Sequence, residues 1–311
     1  MKKIDVMPCK LILFSKFKYI TICKYIIIAI CMVVLLTACA GSYPVSVNKA
    51  NDNLTFIHFI DVGQADSILI ESMGQVLLMD AGNEADGETV VKYLKKRKID
   101  KIDYLIASHP HEDHIGGLDD VINEFKVGKV FLTDNVVSSK SFENLIDAIR
   151  ENKLKVIIPK ARDEYALGNA SFMFVAPIRS DYGSKLNNYS LGIKLTDREN
   201  TFLLTADAEE VAEMDMAYSG IDISADVLKI NHHGSITSST EIFIDAVDPT
   251  YAVISVGKDN PYGNPSYSVM ARLIDHDVQI YRTDLMGTIT IISDGKNLIF
   301  KTEKNDNSKL E

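Results

Sequence analysis

An α/β domain is what this 311-residue sequence predicts. Three observations lead there. From residue 54 onward, short runs rich in β-branched and apolar residues alternate with segments of helical period. Four of those runs end in a carboxylate or an imidazole: 76–79 at Asp80, 103–108 at His109, 202–205 at Asp207 and 227–231 at His232. Apolar content of 46% is that of an ordinary globular chain with a full core. Strand ends that converge on one edge of a rigid scaffold would bring those side chains into a single site.

The elements follow in chain order. Residues 55–62 and 67–71 are rich in β-formers, and Gly74-Gln75 turns the chain into a third run, 76–79. Residues 87–98 read as a helix because Val90, Val91 and Leu94 share one face. Strand 103–108 then feeds Ile106-Ala-Ser-His-Pro-His-Glu-Asp-His-Ile-Gly-Gly117, read as one short loop. Helix 118–125, strand 129–132 and helix 142–152 come next, then strands 155–159 and 171–176. Residues 191–195 and 201–205 pair about Asp197-Arg-Glu-Asn200 as a hairpin. Helix 209–217, strand 227–230, helix 240–246, strand 251–256 and helix 266–275 continue the alternation, and strands 279–282 and 288–292 close it. No repeat, low-complexity tract or composition break interrupts residues 54–303, which read as one domain with a charged tail at 304–311.

Histidine is scarce and clustered. Of seven, His109, His111 and His114 lie in the central loop and His232 and His233 form a second group; His58 and His276 stand alone and read as ordinary strand and surface residues. Two imidazoles at i, i+2 followed by an Asp-His pair can face two neighbouring metal ions, and imidazole with carboxylate suits Zn²⁺, Mn²⁺ or Fe²⁺. Gly116 and Gly117 would let the backbone turn tightly and approach whatever the metals hold.

Residues 1–38 read as an export signal: six lysines flank or precede an apolar run that ends in Leu36-Thr-Ala-Cys39. That ending resembles a bacterial lipobox, which implies a diacylglyceryl group on Cys39, a polar tether over 39–53 and a domain held on the extracytoplasmic face of the membrane. All four cysteines lie at or before Cys39, so the body has no disulfide and no thiolate ligand or nucleophile. The chain carries 33 basic and 43 acidic residues, net −10. With six lysines and one aspartate in residues 1–38, the remainder holds 27 basic and 42 acidic residues, net −15. A body so acidic lacks the basic footprint of a general nucleic-acid binder.

Nine motifs, in order, carry a resemblance that covers nearly all of residues 55–300. They are Phe59-Ile-Asp-Val-Gly-Gln-Ala-Asp-Ser67, Leu78-Met-Asp-Ala-Gly82, the histidine loop, Asn187-Asn-Tyr-Ser-Leu191, Leu203-Leu-Thr-Ala-Asp207, Leu228-Lys-Ile-Asn-His-His-Gly-Ser235, Ile254-Ser-Val-Gly257, Tyr262-Gly-Asn-Pro-Ser266 and Tyr281-Arg-Thr-Asp284. The chain resembles a metallo-β-lactamase-fold hydrolase, and within that superfamily the hydrolase domain of ComEC-type competence proteins. The fold implied is an αββα sandwich with two divalent metal ions, Zn or Mn, at one edge. By resemblance His109 and His111 would hold the first metal, Asp113 and His114 the second, and Asp207 would bridge them. His233 would complete the second site, because neighbours on a strand end point opposite ways and only one of the pair is then a ligand. His232 and Asp113 would act in catalysis, and Asp80 would steady a ligand histidine.

The resemblance also carries departures. The histidine that lactamases place in the region of Asn187–Ser190 is missing, which argues against a β-lactamase. Ala65 and Ala206 stand where the branch has glycine, and Asn264 stands where it has histidine. The function implied is a lipid-anchored phosphodiesterase that attacks phosphorus with a hydroxide shared by two metals, acting on a phosphoester with DNA as one candidate. The alternatives are an esterase of surface phosphorylcholine-type groups and a binding lipoprotein without turnover. No protein partner is implied, and no channel segment like that of the full transporters is read here.

Three further features are read from the residues alone. Lys92, Lys95, Lys96, Arg97 and Lys98 read as a solvated helix end rather than a nucleic-acid contact. Tyr182, Tyr189 and Tyr262 read as loop tyrosines packed on the domain, with base stacking the less favoured role. For Asp61 and Asp66, a turn-making role and a site role compete evenly.

Overall fold

In the computed structural model, residues 53–304 are described. The segment 1–38 read as an export signal, Cys39, the stretch read as a tether apart from Asn53, and the residues beyond Lys304 lie outside them. Among the described residues no helix is long and apolar enough to cross a membrane.

The chain opens with β1 (Thr55–Phe59), β2 (Ile68–Ser72) and β3 (Gln75–Met79), an antiparallel meander. Helix α1 (Gly87–Lys96) returns the chain so that β4 (Lys101–Ile106) lies parallel to β3. The one-turn helix α2 (Glu112–Ile115) and α3 (Leu118–Glu124) lead to β5 (Lys126–Phe131), and α4 (Lys140–Glu151) to β6 (Lys155–Ile157), both strands again parallel. The second half runs β7 (Glu164–Leu167), β8 (Ala170–Ala176), β9 (Gly192–Asp197), β10 (Asn200–Leu204), α5 (Glu210–Tyr218), β11 (Val227–Lys229), α6 (Glu241–Val247), β12 (Tyr251–Ile254), α7 (Tyr267–Asp275) and β13 (Gln279–Arg282). After α8 (Thr283–Met286) the chain crosses back, and β14 (Ile289–Ser293) and β15 (Leu298–Thr302) extend the first sheet beside β1.

The first sheet has the order β15-β14-β1-β2-β3-β4-β5-β6 and the second β13-β12-β11-β10-β9-β8-β7. Strand alternation decides what each sheet faces. Ile57, Phe59, Ile70, Leu77 and Ile106 point inward and meet Phe172, Ile193, Leu195, Phe202 and Leu204 of the other sheet. The intervening Leu69, Leu78, Leu105 and Val130 point outward and are covered by Val90, Leu94, Leu118, Val121 and Leu145 of α1, α3 and α4. On the far side Leu203, Leu228, Ala252 and Ile254 are covered by Ala212, Met216, Phe243, Ile244 and Leu273 of α5, α6 and α7. The four layers expected from the resemblance are therefore present, helix–sheet–sheet–helix, each interface built of apolar side chains.

Four elements escaped the sequence reading. β7 and β15 are short, half-exposed edge strands whose charged and small residues blur the period of two. α2 and α8 are single turns, too short to show a helical period. The stretch read as a plain histidine loop thus contains a turn of helix.

What positions the site is strand direction. β3 and β4 are parallel, as are β10 and β11, so within each sheet the carboxyl ends lie on one edge. Open α/β sheets bind ligands beyond such ends.

Candidate metal centre

Beyond β3 comes Asp80, at φ +61, a left-handed conformation that aspartate tolerates. Its Oδ1 accepts the Ser108 N–H at 2.8 Å, and its Oδ2 accepts the Ser108 hydroxyl at 2.6 Å and faces His114 Nδ1 at 2.8 Å. Beyond β4, His109 is buried and His111 sits at the N-terminus of α2, which carries Asp113 and His114 on its only turn. Gly116 and Gly117 have helical or near-helical φ (−59° and −96°) rather than a turn conformation. A Cβ on Gly117 would lie 2.5 Å from the Ala81 carbonyl oxygen and 2.6 Å from the Gly87 Cα. The expectation that these glycines serve a tight turn near the metals is corrected: they let the histidine segment pack against the chain between β3 and α1.

Beyond β10, Ala206 takes φ +47 and delivers Asp207, 1% exposed. Beyond β11, His232 and His233 are both left-handed, at φ +49 and +56. Here a second expectation fails. Consecutive strand residues would point apart, but two left-handed residues in succession bring both rings to the same carboxylate. Nε2 of His232 lies 3.7 Å and Nε2 of His233 3.8 Å from Asp207 Oδ2. The two still differ. His233 is buried, donates Nδ1–H to the Ser255 carbonyl at 2.9 Å and turns Nε2 to Asp113 Oδ2 at 3.3 Å. His232 is 27% exposed and its Nδ1 faces Thr237 Oγ1 at 3.2 Å and Glu209 Oε1 at 3.5 Å.

Asp113, His114, Asp207 and His233 each offer one ligand atom, and these atoms all lie within 4.8 Å of one another. A second pair adjoins them: His109 Nε2 is 4.0 Å from Asp207 Oδ2 and 3.0 Å from His111 Nδ1. All six residues singled out as ligands thus meet, with Asp207 between the two groups and Asp80 behind His114. The donor set fits divalent cations. His114 Nε2 and Asp207 Oδ1 are buried without a hydrogen-bond partner, a costly state for atoms that a cation would satisfy.

Charge is concentrated here. Burial works against the charge on Asp207 and Asp113, but the His114 and His233 imidazoles outweigh it and hold both carboxyls below their usual range, Asp207 well below. Burial likewise disfavours a proton on His114, yet Asp207, Asp113 and Asp80 raise it well above the ordinary value; Asp207 and Asp113 raise His233 in the same way. Burial, reinforced by His114, puts His109 well below. A metal binding His114 and His233 would therefore compete with protons.

The centre opens into a cleft of about 760 Å³ whose walls include Gln64, Glu112, Asn187, Ser235, Tyr262 and Asn264 and, among the described residues, no Lys or Arg. Sequence reasoning missed Gln64 and Ser108 as individual site residues, and it named Asn187 only as part of a stretch. The Asn187 Oδ1 is buried without a hydrogen-bond partner. Lys229 was missed too, although a lysine inside the apolar run Val227-Leu-Lys-Ile230 is a signal in itself.

The remaining features resolve plainly. Lys92, Lys95 and Arg97 pair with Glu88, Glu124 and Glu71. Tyr189 is buried edge-on against Tyr182, while Tyr262 is 73% exposed at the cleft. Asp61 caps a turn through the Gly63 N–H, whereas Asp66 is buried beside the site.

The sequence profile described as Metallo-beta-lactamase superfamily matches residues 60–258. Among curated proteins the chain is similar to ComE operon protein 3 of Bacillus subtilis, 32% identical over 251 residues, covering 75% of this chain and 32% of that protein. It is similar to Recombination protein 2 of Haemophilus influenzae, 30% identical and covering 75% of this chain and 28% of that one. With Competence protein ComA of Neisseria gonorrhoeae the identity is 29%, over 74% of this chain and 31% of that one. The chain spans about a third of the length of these relatives. Among solved structures, YhfI of Bacillus subtilis aligns with TM-score 0.51 and 14% identity over 77% of this chain and 99% of that one. CmlA, a diiron β-hydroxylase from Streptomyces venezuelae, aligns with TM-score 0.51 and 17% identity over 76% and 53%. At such identities these two speak for the fold alone.

Proposed function

The chain belongs to the metallo-beta-lactamase superfamily, and from that premise we propose that it is a metal-dependent phosphodiesterase, lipid-anchored through Cys39 on the extracytoplasmic face. The observation that carries this reading is the convergence of Asp113, His114, Asp207 and His233, with His109 and His111 beside them, at the carboxyl ends of strands from both sheets. His109 and His111 would hold one cation, Asp113, His114 and His233 a second, and Asp207 would be common to both. Bound there, two divalent ions would lower the pKa of water and offset the negative charge that makes a phosphodiester a poor electrophile. The protein does the rest. Asp80 fixes the His114 ring, the Ser255 carbonyl fixes the tautomer of His233, and Asp113 is placed to orient a water. His232, held through Nδ1 by Thr237 and Glu209, turns Nε2 toward the centre, where it can carry a proton to a leaving oxygen.

One observation favours a second reading, an esterase of small surface phosphoesters. A polyanion draws affinity from Lys and Arg along its path, and among the described residues the cleft wall has none. Glu112 and the exposed Tyr262 instead suit a quaternary ammonium such as that of phosphorylcholine.

The test offers bis-p-nitrophenyl phosphate, single-stranded DNA and phosphorylcholine esters side by side to residues 40–311 with Mn²⁺ or Zn²⁺. Turnover of DNA and the aryl diester supports the first reading, and turnover of choline esters alone the second. Turnover of none leaves a binding lipoprotein. Chelation and His111→Ala should each abolish activity, and activity surviving both rejects the metal-dependent mechanism.

A further inference from the structure

Lys229 and Asp66 are among the most deeply buried charged groups of the described residues, 0% and 1% exposed, and the Lys229 ammonium is ion-paired to the Asp66 carboxylate. Lysine is almost never fully buried unless paired, and a buried pair is weak support for stability, since well-packed neutral residues often do as well. Its position is more informative than its energy. The Lys229 ammonium donates to the Ala206 carbonyl at 3.3 Å and lies 4.0 Å from Asp207 Oδ1. Asp66 Oδ2 is 3.8 Å from His114 Nδ1, and Asp66 Oδ1 is 3.7 Å from His233 Nδ1. The Asp66 N–H donates to the Asp113 carbonyl at 3.1 Å. The pair thus borders, from behind, all four members of the cluster Asp113, His114, Asp207 and His233.

The two residues come from opposite sides of the sandwich. Asp66 precedes β2 of the first sheet, and Lys229 ends β11 of the second. Asp113 and His114 come with the first sheet, Asp207 and His233 with the second. The ligand cluster therefore straddles the seam, and this ion pair is a charged link across it. Asp66 could also form a donor group with Asp80 and His114. The ammonium already pairs with Asp66 Oδ2, however, and Ser108 and His114 engage the oxygens of Asp80.

We infer that the Lys229–Asp66 ion pair is a positioning device that holds Asp207, His114 and His233 in register across the sheet–sheet seam, ready to receive metal. This rests on the reading of the cluster as a metal centre, and it is tested by metal binding rather than turnover. Mn²⁺ and Zn²⁺ are titrated calorimetrically into the purified full chain, and thermal unfolding is recorded without metal. In the paired neutral variant Asp66→Asn with Lys229→Met, the metal-free Tm should stay near wild type while Kd rises about 10–100-fold, the range seen when support behind a ligand is removed. Lys229→Met alone leaves Asp66 buried and unpaired and should lower Tm. Wild-type affinity in the folded double variant overturns the inference. Should the double variant not fold, Asp66→Glu keeps the pair but displaces the carboxylate by one methylene; it should weaken metal binding about tenfold or more, and an unchanged Kd again overturns the inference. A wild-type chain that binds metal but hydrolyses no phosphoester sinks the phosphodiesterase reading and leaves this one standing. One that binds neither ion sinks both.

Discussion

Residue chemistry set most of the site, and it also sets a pH response away from it. His58 lies under α1, where Nε2–H donates to Glu71 Oε1 at 3.1 Å and Nδ1 faces Thr290 Oγ1 at 2.9 Å and the Tyr93 hydroxyl at 3.0 Å. Burial holds its pKa below the ordinary value, against the pull of Glu71. The folded chain therefore binds fewer protons here than the unfolded chain as pH approaches 6.5 from below. Stability rises with pH across that window and is lost as pH falls through it. Urea midpoints for wild type and His58→Gln should accordingly draw together as pH falls from about 7 toward 5. Parallel pH profiles would show that His58 carries no proton linkage. A lone strand histidine gave no hint of this, because its partners come from β2, α1 and β14.

At the scale of elements, the parallel pairs β3–β4 and β10–β11 bring four strand ends to one edge, and the alternation of apolar runs with helical segments had already implied them. The histidine segment then needs close packing to stay in place. Gly117 admits the Ala81 carbonyl and the Gly87 backbone at distances no side chain allows. Gly117→Ala should cost about 1–3 kcal/mol, the usual penalty for overpacking, read as a lower denaturant midpoint. Because the same shift moves α2, metal affinity should fall with it; an unmoved midpoint would mean the neighbouring turn yields freely. The edge strands β7 and β15 were invisible beforehand, since a half-exposed strand of four or five residues owes its conformation to the neighbour it pairs with.

For the whole molecule, the centre lies where two sheets meet. Asp113 and His233 are 120 residues apart in sequence and 3.3 Å apart in space. A cation bound by both would bind the folded chain and not the unfolded one, so it acts as a staple between halves. At a hundredfold excess over Kd, Mn²⁺ or Zn²⁺ should stabilise the chain by about 2.7 kcal/mol, and a chelator should return Tm to the metal-free value. No change in Tm on adding either ion would argue that the donors are held too rigidly, or too well paired with one another, to accept it.

By itself the sequence determined the donor types, their order and the strand ends that carry them, because residue chemistry and local period are written within a few positions of each other. The four-layer sandwich was reachable through resemblance, as the later profile match over residues 60–258 agrees. Only the tertiary structure decided that His232 and His233 turn the same way, that Gly117 serves packing, and that Lys229 reaches Asp66. Each of these depends on a backbone dihedral or on contact between segments far apart in the chain, and such quantities exist only once the two sheets have closed on each other.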